Sequence, residues 1–144
     1  MTITHRSFVR VACALILAAS LSIKSTAQTK LLGEGTNVTP LGSQKIRIEI
    51  VVLPPSQDPT LESMQIKRTG TITIWHEHKR ILSQTLYITQ PGDTKAWSLI
   101  AFYVDKGYAA TLRVDMWQPS KPFHIHDTFM RTATLSGSIT ALTF

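Results

Sequence analysis

Residues 96 to 117 of this 144-residue chain, AWSLIAFYVDKGYAATLRVDMW, decide the fold. From residue 108 onward, apolar side chains recur at every second position, which places them on one face of a β-strand. Residues 96 to 104 are apolar on both faces, as in a central strand that is covered on both sides. Between them, Asp105-Lys106-Gly107 is typical of a tight turn, because Gly107 readily adopts a positive φ. The stretch therefore predicts a β-hairpin.

Short strands are predicted on both sides of this hairpin, and no window has the 3.6-residue apolar spacing of an amphipathic helix. Turn signals recur every few residues, for example the proline-rich residues 54 to 59. We expect an all-β fold, an antiparallel, immunoglobulin-like β-sandwich of seven to nine short strands, with a small barrel as the alternative. The other predicted strands cover residues 46 to 52, 61 to 68, 71 to 76, 81 to 89, 125 to 135 and 138 to 144, the last two meeting near Ser136-Gly137.

Residues 1 to 27 are typical of a cleaved secretory signal peptide. Arg6 and Arg10 precede an apolar run over residues 11 to 21, and small residues at 25 and 27 suit cleavage before Gln28. This run is well short of the roughly 20 residues of a membrane-spanning helix, and no later stretch approaches that length. We expect export to the periplasm or the cell exterior. Residues 28 to 43 are then a flexible lead-in, and 44 to 144 form one domain.

Removal of this segment restricts the chemistry of the exported protein. Cys13, the only cysteine, leaves with it, which excludes disulfides and thiolate chemistry. The remaining chain has 12 basic and 9 acidic residues. This balance is too mild to predict binding to nucleic acid.

Two His-x-His triplets contain all the histidines that follow residue 27. Residues two apart on a strand share a face, so each pair could present two imidazoles to one metal ion. His76, His78, His124 and His126 together would suit Zn²⁺ or Cu²⁺, provided that the two strand ends meet in space. Each triplet also lies beside charged residues or a proline-rich loop, as exposed histidines that bind nothing often do. The sequence leaves both interpretations open.

Three tryptophans, Trp75, Trp97 and Trp117, fall in three different predicted strands. We expect them to pack in the core, since a domain without disulfides needs large apolar residues. An aromatic platform for a sugar or a peptide is the alternative.

Residues 82 to 117 combine a polar strand, QTLYI at 84 to 88, with a turn and a strand containing WSL at 97 to 99. A second turn, DKGY at 105 to 108, leads into TLRV at 111 to 114. This order resembles the small immunoglobulin-like periplasmic chaperones of curli assembly. The resemblance implies a non-catalytic domain that keeps amyloid subunits soluble during export. The Cys-x-Cys pair of some members of that family is absent here.

The sequence contains no Gly-x-Ser-x-Gly, glycine-rich phosphate loop or His-Glu-x-x-His motif, so we predict no enzymatic activity. We expect an exported binding protein, chaperone-like or acting in envelope assembly, whose partner is another exported or envelope protein. Unpaired groups at a sheet edge would bind that partner by strand addition. The alternative is a periplasmic Zn²⁺- or Cu²⁺-binding protein that uses the four histidines. Otherwise no cofactor is expected.

Overall fold

Antiparallel β-strands make up most of the described chain, which confirms the all-β prediction. A computed structural model describes residues 28–55, 57–91, 98–127 and 134–143. The predicted signal peptide and Trp97 lie outside these residues. The strands are β1 (Thr29–Thr39), β2 (Gly42–Val52), β3 (Arg68–His76), β4 (Lys79–Pro91), β5 (Leu99–Asp105), β6 (Tyr108–Val114), β7 (Pro122–Asp127) and β8 (Thr134–Thr143).

The sheet closes on itself. Each strand pairs with the next along the chain, and β8 returns to pair with β1, which gives the hydrogen-bonding order of a closed barrel. The β1–β8 ladder extends from Lys30 opposite Thr143 to Val38 opposite Thr134. Closure removes the two outer edges that an open sheet exposes.

Inward-facing aliphatic side chains form the core. Cross-strand register sets Ile48 opposite Ile74 and Ile50 opposite Ile72. Burial of each such side chain stabilises the fold by roughly 1.5–3 kcal/mol. The alternation predicted in residues 46 to 52 and 110 to 114 is confirmed, whereas Tyr108, predicted on the inward face, is 41% exposed. The core comprises Leu31, Ile46, Ile48, Ile50, Val52, Ile72, Ile74, Leu86, Ile88, Leu99, Ala101, Tyr103, Ala110, Leu112, Val114, Phe123, Ile125 and Ile139.

The predicted turn between β5 and β6 is confirmed. Lys106 has φ 51° and Gly107 has φ 81°. Two consecutive residues at positive φ are typical of a type I′ turn, whose twist matches that of the flanking strands.

The predicted flexible lead-in, residues 28 to 43, is wrong. These residues form β1 and the start of β2, and β1 pairs with β2 on one side and β8 on the other. Sequence periodicity misses the strand because two of its inward positions are Gly33 and Gly35 rather than large apolar residues.

Two other local predictions are also wrong. The strand predicted over residues 61 to 68 is absent up to residue 67, and Arg68 begins β3. Helix α1 (Pro59–Ser63) occupies the start of this stretch, and it begins where the Asp58 side chain accepts a hydrogen bond from the Thr60 amide at 2.9 Å. Gly137 lies inside β8 rather than at a turn, opposite Phe123 of β7. Within the described residues, no helix combines the length and the apolar character needed to cross a membrane.

Glycines allow the barrel strands to approach one another closely. Gly35 of β1 and Gly137 of β8 are directly opposite each other. A Cβ added at Gly35 would overlap the carbonyl oxygen of Ser136, and one added at Gly70 would overlap that of Val51. Both obstacles are backbone atoms of a paired strand, which cannot rotate away as the end of a side chain can.

We expect Gly70→Ala to destabilise the barrel by about 3 kcal/mol, since β2 and β3 must separate to admit the methyl group. Urea unfolding followed by circular dichroism measures this change. Ser83→Ala, on the exposed face of β4, is the control, with an expected change within about 0.5 kcal/mol. Equal stability of the two variants would contradict the close approach at Gly70.

Candidate functional site

An apolar patch lies on the outer face of the barrel, where polar and charged side chains otherwise dominate. We call Tyr87, Ile100, Phe102 and Val104 the β5 patch, because three of its four residues belong to β5. Val104 is 47% exposed, and the other three are half-buried. Contiguous exposed apolar surface on a folded domain commonly marks a binding site.

The ladder between β4 and β5 holds the patch together. Tyr87 pairs with Phe102 across the two strands, and their rings stack with centroids 5.2 Å apart and an interplanar angle of 25°. Such offset aromatic pairs stabilise a surface beyond the area they bury. The two rings therefore form a preformed centre for the patch.

The outer face of β5 differs from what the sequence predicts. Alternate residues Leu99, Ala101 and Tyr103 are buried inside the barrel, as expected. Among the described helices and strands, the backbone neighbours of β5 are β4 and β6, which lie beside it in the sheet. Its outward residues Ile100 and Phe102 are half-buried and Val104 is 47% exposed, although the apolar character of both faces predicted a strand covered on both sides. The apolar residues on both faces of this strand are the sequence signal that indicates this surface.

The adjoining edge of β4 is poorly suited to strand addition. The recorded β4–β5 register spans Tyr87–Pro91 and Leu99–Phe102. Farther along, Gln84 Nε2 donates a hydrogen bond to Asp105 Oδ1 at 3.2 Å, so the side chains still join the two strands. Beyond this point β4 carries the exposed residues Lys79 and Arg80. Its pairing with β3 is also interrupted by a bulge between Leu82 and Arg80. Charges and bulges at an edge discourage pairing with another strand.

A buried carboxylate anchors the rim of the patch. Asp115 Oδ1 accepts hydrogen bonds from Ser98 Oγ at 2.7 Å and Arg113 Nε at 2.8 Å. Gln118 Nε2 donates to Asp115 Oδ2 at 3.4 Å. The hydrogen bonds from Arg113 and Ser98 hold the pKa of the Asp115 carboxyl below its ordinary value, although burial opposes them. This network positions Arg113, which is paired with Ile100 of the patch.

The four histidines do not converge. His124 and His126 are exposed on the outer face of β7, and they share that face as predicted. His76 ends β3, with Nδ1 3.0 Å from the Lys45 carbonyl oxygen, and His78 lies in the following turn. Three strands separate β3 from β7 in either direction around the barrel. Among the described residues, no group of three or more His, Cys, Asp or Glu side chains is placed to hold a metal ion.

The predicted packing of tryptophans in the core is wrong for both described residues. Trp75 faces outward on β3 and is half-buried beneath Arg47, whose guanidinium carbon is 4.8 Å from the ring centroid. Trp117 is 55% exposed in the loop after β6. The two lie near opposite ends of the barrel, so they form no common aromatic platform. Most described inward positions hold aliphatic residues instead, and the aromatic side chains in the core are those of Tyr103 and Phe123.

A second surface feature is an open groove of about 480 Å³ on the outside of β1 and β2. Its lining includes Glu34, Lys45, Arg47 and Glu77. Two acidic and two basic side chains balance one another, so the groove favours no ligand of a single charge sign.

Comparisons with protein-family models, curated proteins and solved structures find no match to this chain. The resemblance of residues 82 to 117 to curli-assembly chaperones therefore stays a prediction. Functional inference depends on the geometry of the surface.

Asp115→Asn tests the rim network through pH. The folded-state pKa of Asp115 is lowered, so its contribution to stability is present above about pH 4 and is lost as pH falls through the folded pKa. We expect the variant to lose about 1–3 kcal/mol at neutral pH, with a discount because the Arg113 side chain is 57% exposed.

The measurement is urea unfolding of both proteins from pH 7 to pH 2. The stability difference should shrink as pH falls below about 4, because the Asp115 carboxyl is then protonated first in the unfolded state and, at its lowered pKa, in the folded state. Glu62→Gln, on the exposed face of α1, should match wild type at neutral pH. A difference between Asp115→Asn and wild type that stays constant with pH would contradict the ionic role of Asp115.

Proposed function

We propose that this protein is a non-enzymatic, exported binding protein that docks a partner protein on the β5 patch. Export to the periplasm or the cell exterior rests on the signal-like residues 1 to 27. The observation that carries the binding role is the outward, partly exposed apolar surface of β5. A chaperone-like or envelope-assembly role is the form of binding that suits an exported domain of this kind.

The interior of the barrel supports an external site. Its inward positions hold buried aliphatic side chains such as Ile48, Leu112 and Ile125. Side chains that fill a small barrel make a packed core, whereas a ligand cavity needs space and convergent polar groups. Recognition is therefore expected on the outer surface.

The composition of the patch matches the centre of a protein interface. Aromatic residues are enriched in such centres, and a polar rim surrounds them. Here Tyr87 and Phe102 form the centre, while Gln90, Thr111 and Arg113 lie around it in the strand register. A stable interface buries about 800 Å² on each partner, so the four patch residues would be its core rather than its full extent.

Charge near one end of the patch indicates the character of the partner. Lys79, Arg80 and Lys106 are exposed at the end of the barrel to which Val104 is nearest. An acidic surface would complement these side chains and accelerate association. We therefore propose a partner that presents apolar residues flanked by carboxylates.

The mode of docking is face-to-face contact between side chains. Pairing of β1 with β8 supports the small barrel over the immunoglobulin-like sandwich, and the charged, bulged end of β4 disfavours strand addition there. An amyloid-subunit chaperone that worked by strand addition would need an open edge. Binding through the β5 patch requires none.

Photo-crosslinking in the producing cells tests this proposal. A photoreactive amino acid at Ile100 should capture one predominant partner protein, because that position faces the docked surface. Placed at Thr36, on the outer face of β1, it should capture none. Val104→Asp should weaken partner binding by at least about 2 kcal/mol, as loss of a central contact does, because it also places a negative charge opposite the acidic partner, and the Ile100 crosslink should fall accordingly. Thr36→Asp should leave the crosslink unchanged.

The same experiment separates the possible occupants. A crosslinked product of twice the chain mass, together with a dimer in light scattering, would identify a second copy and contradict a distinct partner. Equal capture from Ile100 and Thr36, or a crosslink insensitive to Val104→Asp, would contradict the patch as the binding site.

A further inference from the structure

We propose that His124 and His126 form a two-imidazole surface site for a divalent transition-metal ion, Cu²⁺ above all. The site uses other residues than the β5 patch, on another strand, and Thr111 and Arg113 of β6 are neighbours of both. Its test uses the purified protein without a partner, so the result is separate from that of the proposed docking. It differs from the four-histidine arrangement that the sequence suggests, because only one of the two triplets supplies it.

The backbone of β7 fixes the direction of both side chains. Phe123 and Ile125 are buried inside the barrel, so the alternation of the strand turns His124 and His126 outward. β7 is paired with β6 from Phe123 to Asp127 and with β8 from Pro122 to Ile125. A strand held on both sides offers its ligands from a rigid platform, which lowers the cost of bringing them together.

The separation of the two rings suits a shared ion. Their centroids are 6.4 Å apart, with an interplanar angle of 15°. Two imidazoles that bind one ion through bonds of about 2.0–2.1 Å have ring centroids roughly 4.5 to 6.5 Å apart, and the longest distances occur only where the two nitrogens lie on opposite sides of the ion. The nearly parallel rings must therefore turn toward each other to share an ion. Both side chains are exposed, so a modest rotation about their χ angles aligns the nitrogens without disturbing the core.

Neighbouring charge permits cation binding. Arg113 is the cross-strand partner of His124, and an unpaired guanidinium there would repel a metal ion. The Arg113 Nε instead donates a hydrogen bond to Asp115 Oδ1 at 2.8 Å. The Asp115 carboxylate therefore offsets the positive charge of Arg113 and holds its guanidinium toward the loop after β6. Hydroxyl residues Thr111 and Ser136 complete the cross-strand neighbours of the two histidines.

The ligand set favours copper. Imidazole nitrogen binds Cu²⁺, Ni²⁺ and Zn²⁺, and divalent affinity for a given site is greatest for Cu²⁺. Two protein ligands leave the remaining positions to water, so the site is open, unlike a four-ligand structural zinc site.

The other triplet is the natural control. Glu77 has φ 55°, which turns the chain between His76 and His78. His76 is engaged with the Lys45 carbonyl, whereas His78 is exposed in the turn. The same His-x-His spacing therefore presents no shared face at residues 76 to 78.

Titration of the purified protein with Cu²⁺, followed by calorimetry and electron paramagnetic resonance, tests the site. We expect one ion per chain with a nitrogen-coordinated spectrum. His124→Ala and His126→Ala should each weaken binding about tenfold or more, and His78→Ala should leave it unchanged. Zn²⁺ should bind at the same place with lower affinity.

A second measurement does not depend on the variants. In wild-type protein, substoichiometric Cu²⁺ should broaden the amide resonances of residues 123 to 126 before those of residues 76 to 79. Absence of Cu²⁺ binding, binding that persists in His126→Ala, or an equal loss in His78→Ala would overturn the proposal.

Discussion

Pairing of the first strand with the last is the contact on which the rest of the structure depends. Without the β1–β8 ladder, both strands would expose an edge and the inward face of the sheet would open to water. Gly35 and Gly137 face each other across that ladder, and a side chain at either position would meet the opposing backbone. The glycines therefore contribute through the space they leave rather than through any contact of their own.

Closure divides the residues of each strand between two environments. The inward half is committed to a tightly packed aliphatic core, so recognition is left to the outward half. Most outward positions are hydroxyl-bearing or charged, which keeps the surface well hydrated. The β5 patch and the histidines of β7 are exceptions to this pattern, and only β6 separates the strands β5 and β7. Both proposals about the surface rest on these exceptional outward residues.

Sequence patterns predict local structure well where periodicity is strong. Alternating residues correctly place the strands that became β2 and β6, and the turn at Lys106-Gly107 follows from backbone preference alone. Sequence patterns fail for β1, because glycine at inward positions removes the alternation of apolar residues that indicates a strand. This strand is stabilised by its pairing with the neighbouring strands β2 and β8. The shared face of His124 and His126 follows from strand geometry. The distance between these two histidines and His76 does not follow from strand geometry, because it depends on the order of strands around the closed sheet.

Closure by the terminal strands also sets the order in which the chain can acquire its native structure. Ile139 near the end of the chain faces Gly33 near its beginning, so this seam joins residues that are among the most distant in sequence. Such non-local pairing forms slowly and only after the last strand has been made. Until β8 is available, β1 therefore lacks one of its two neighbours, and the barrel stays open along that seam.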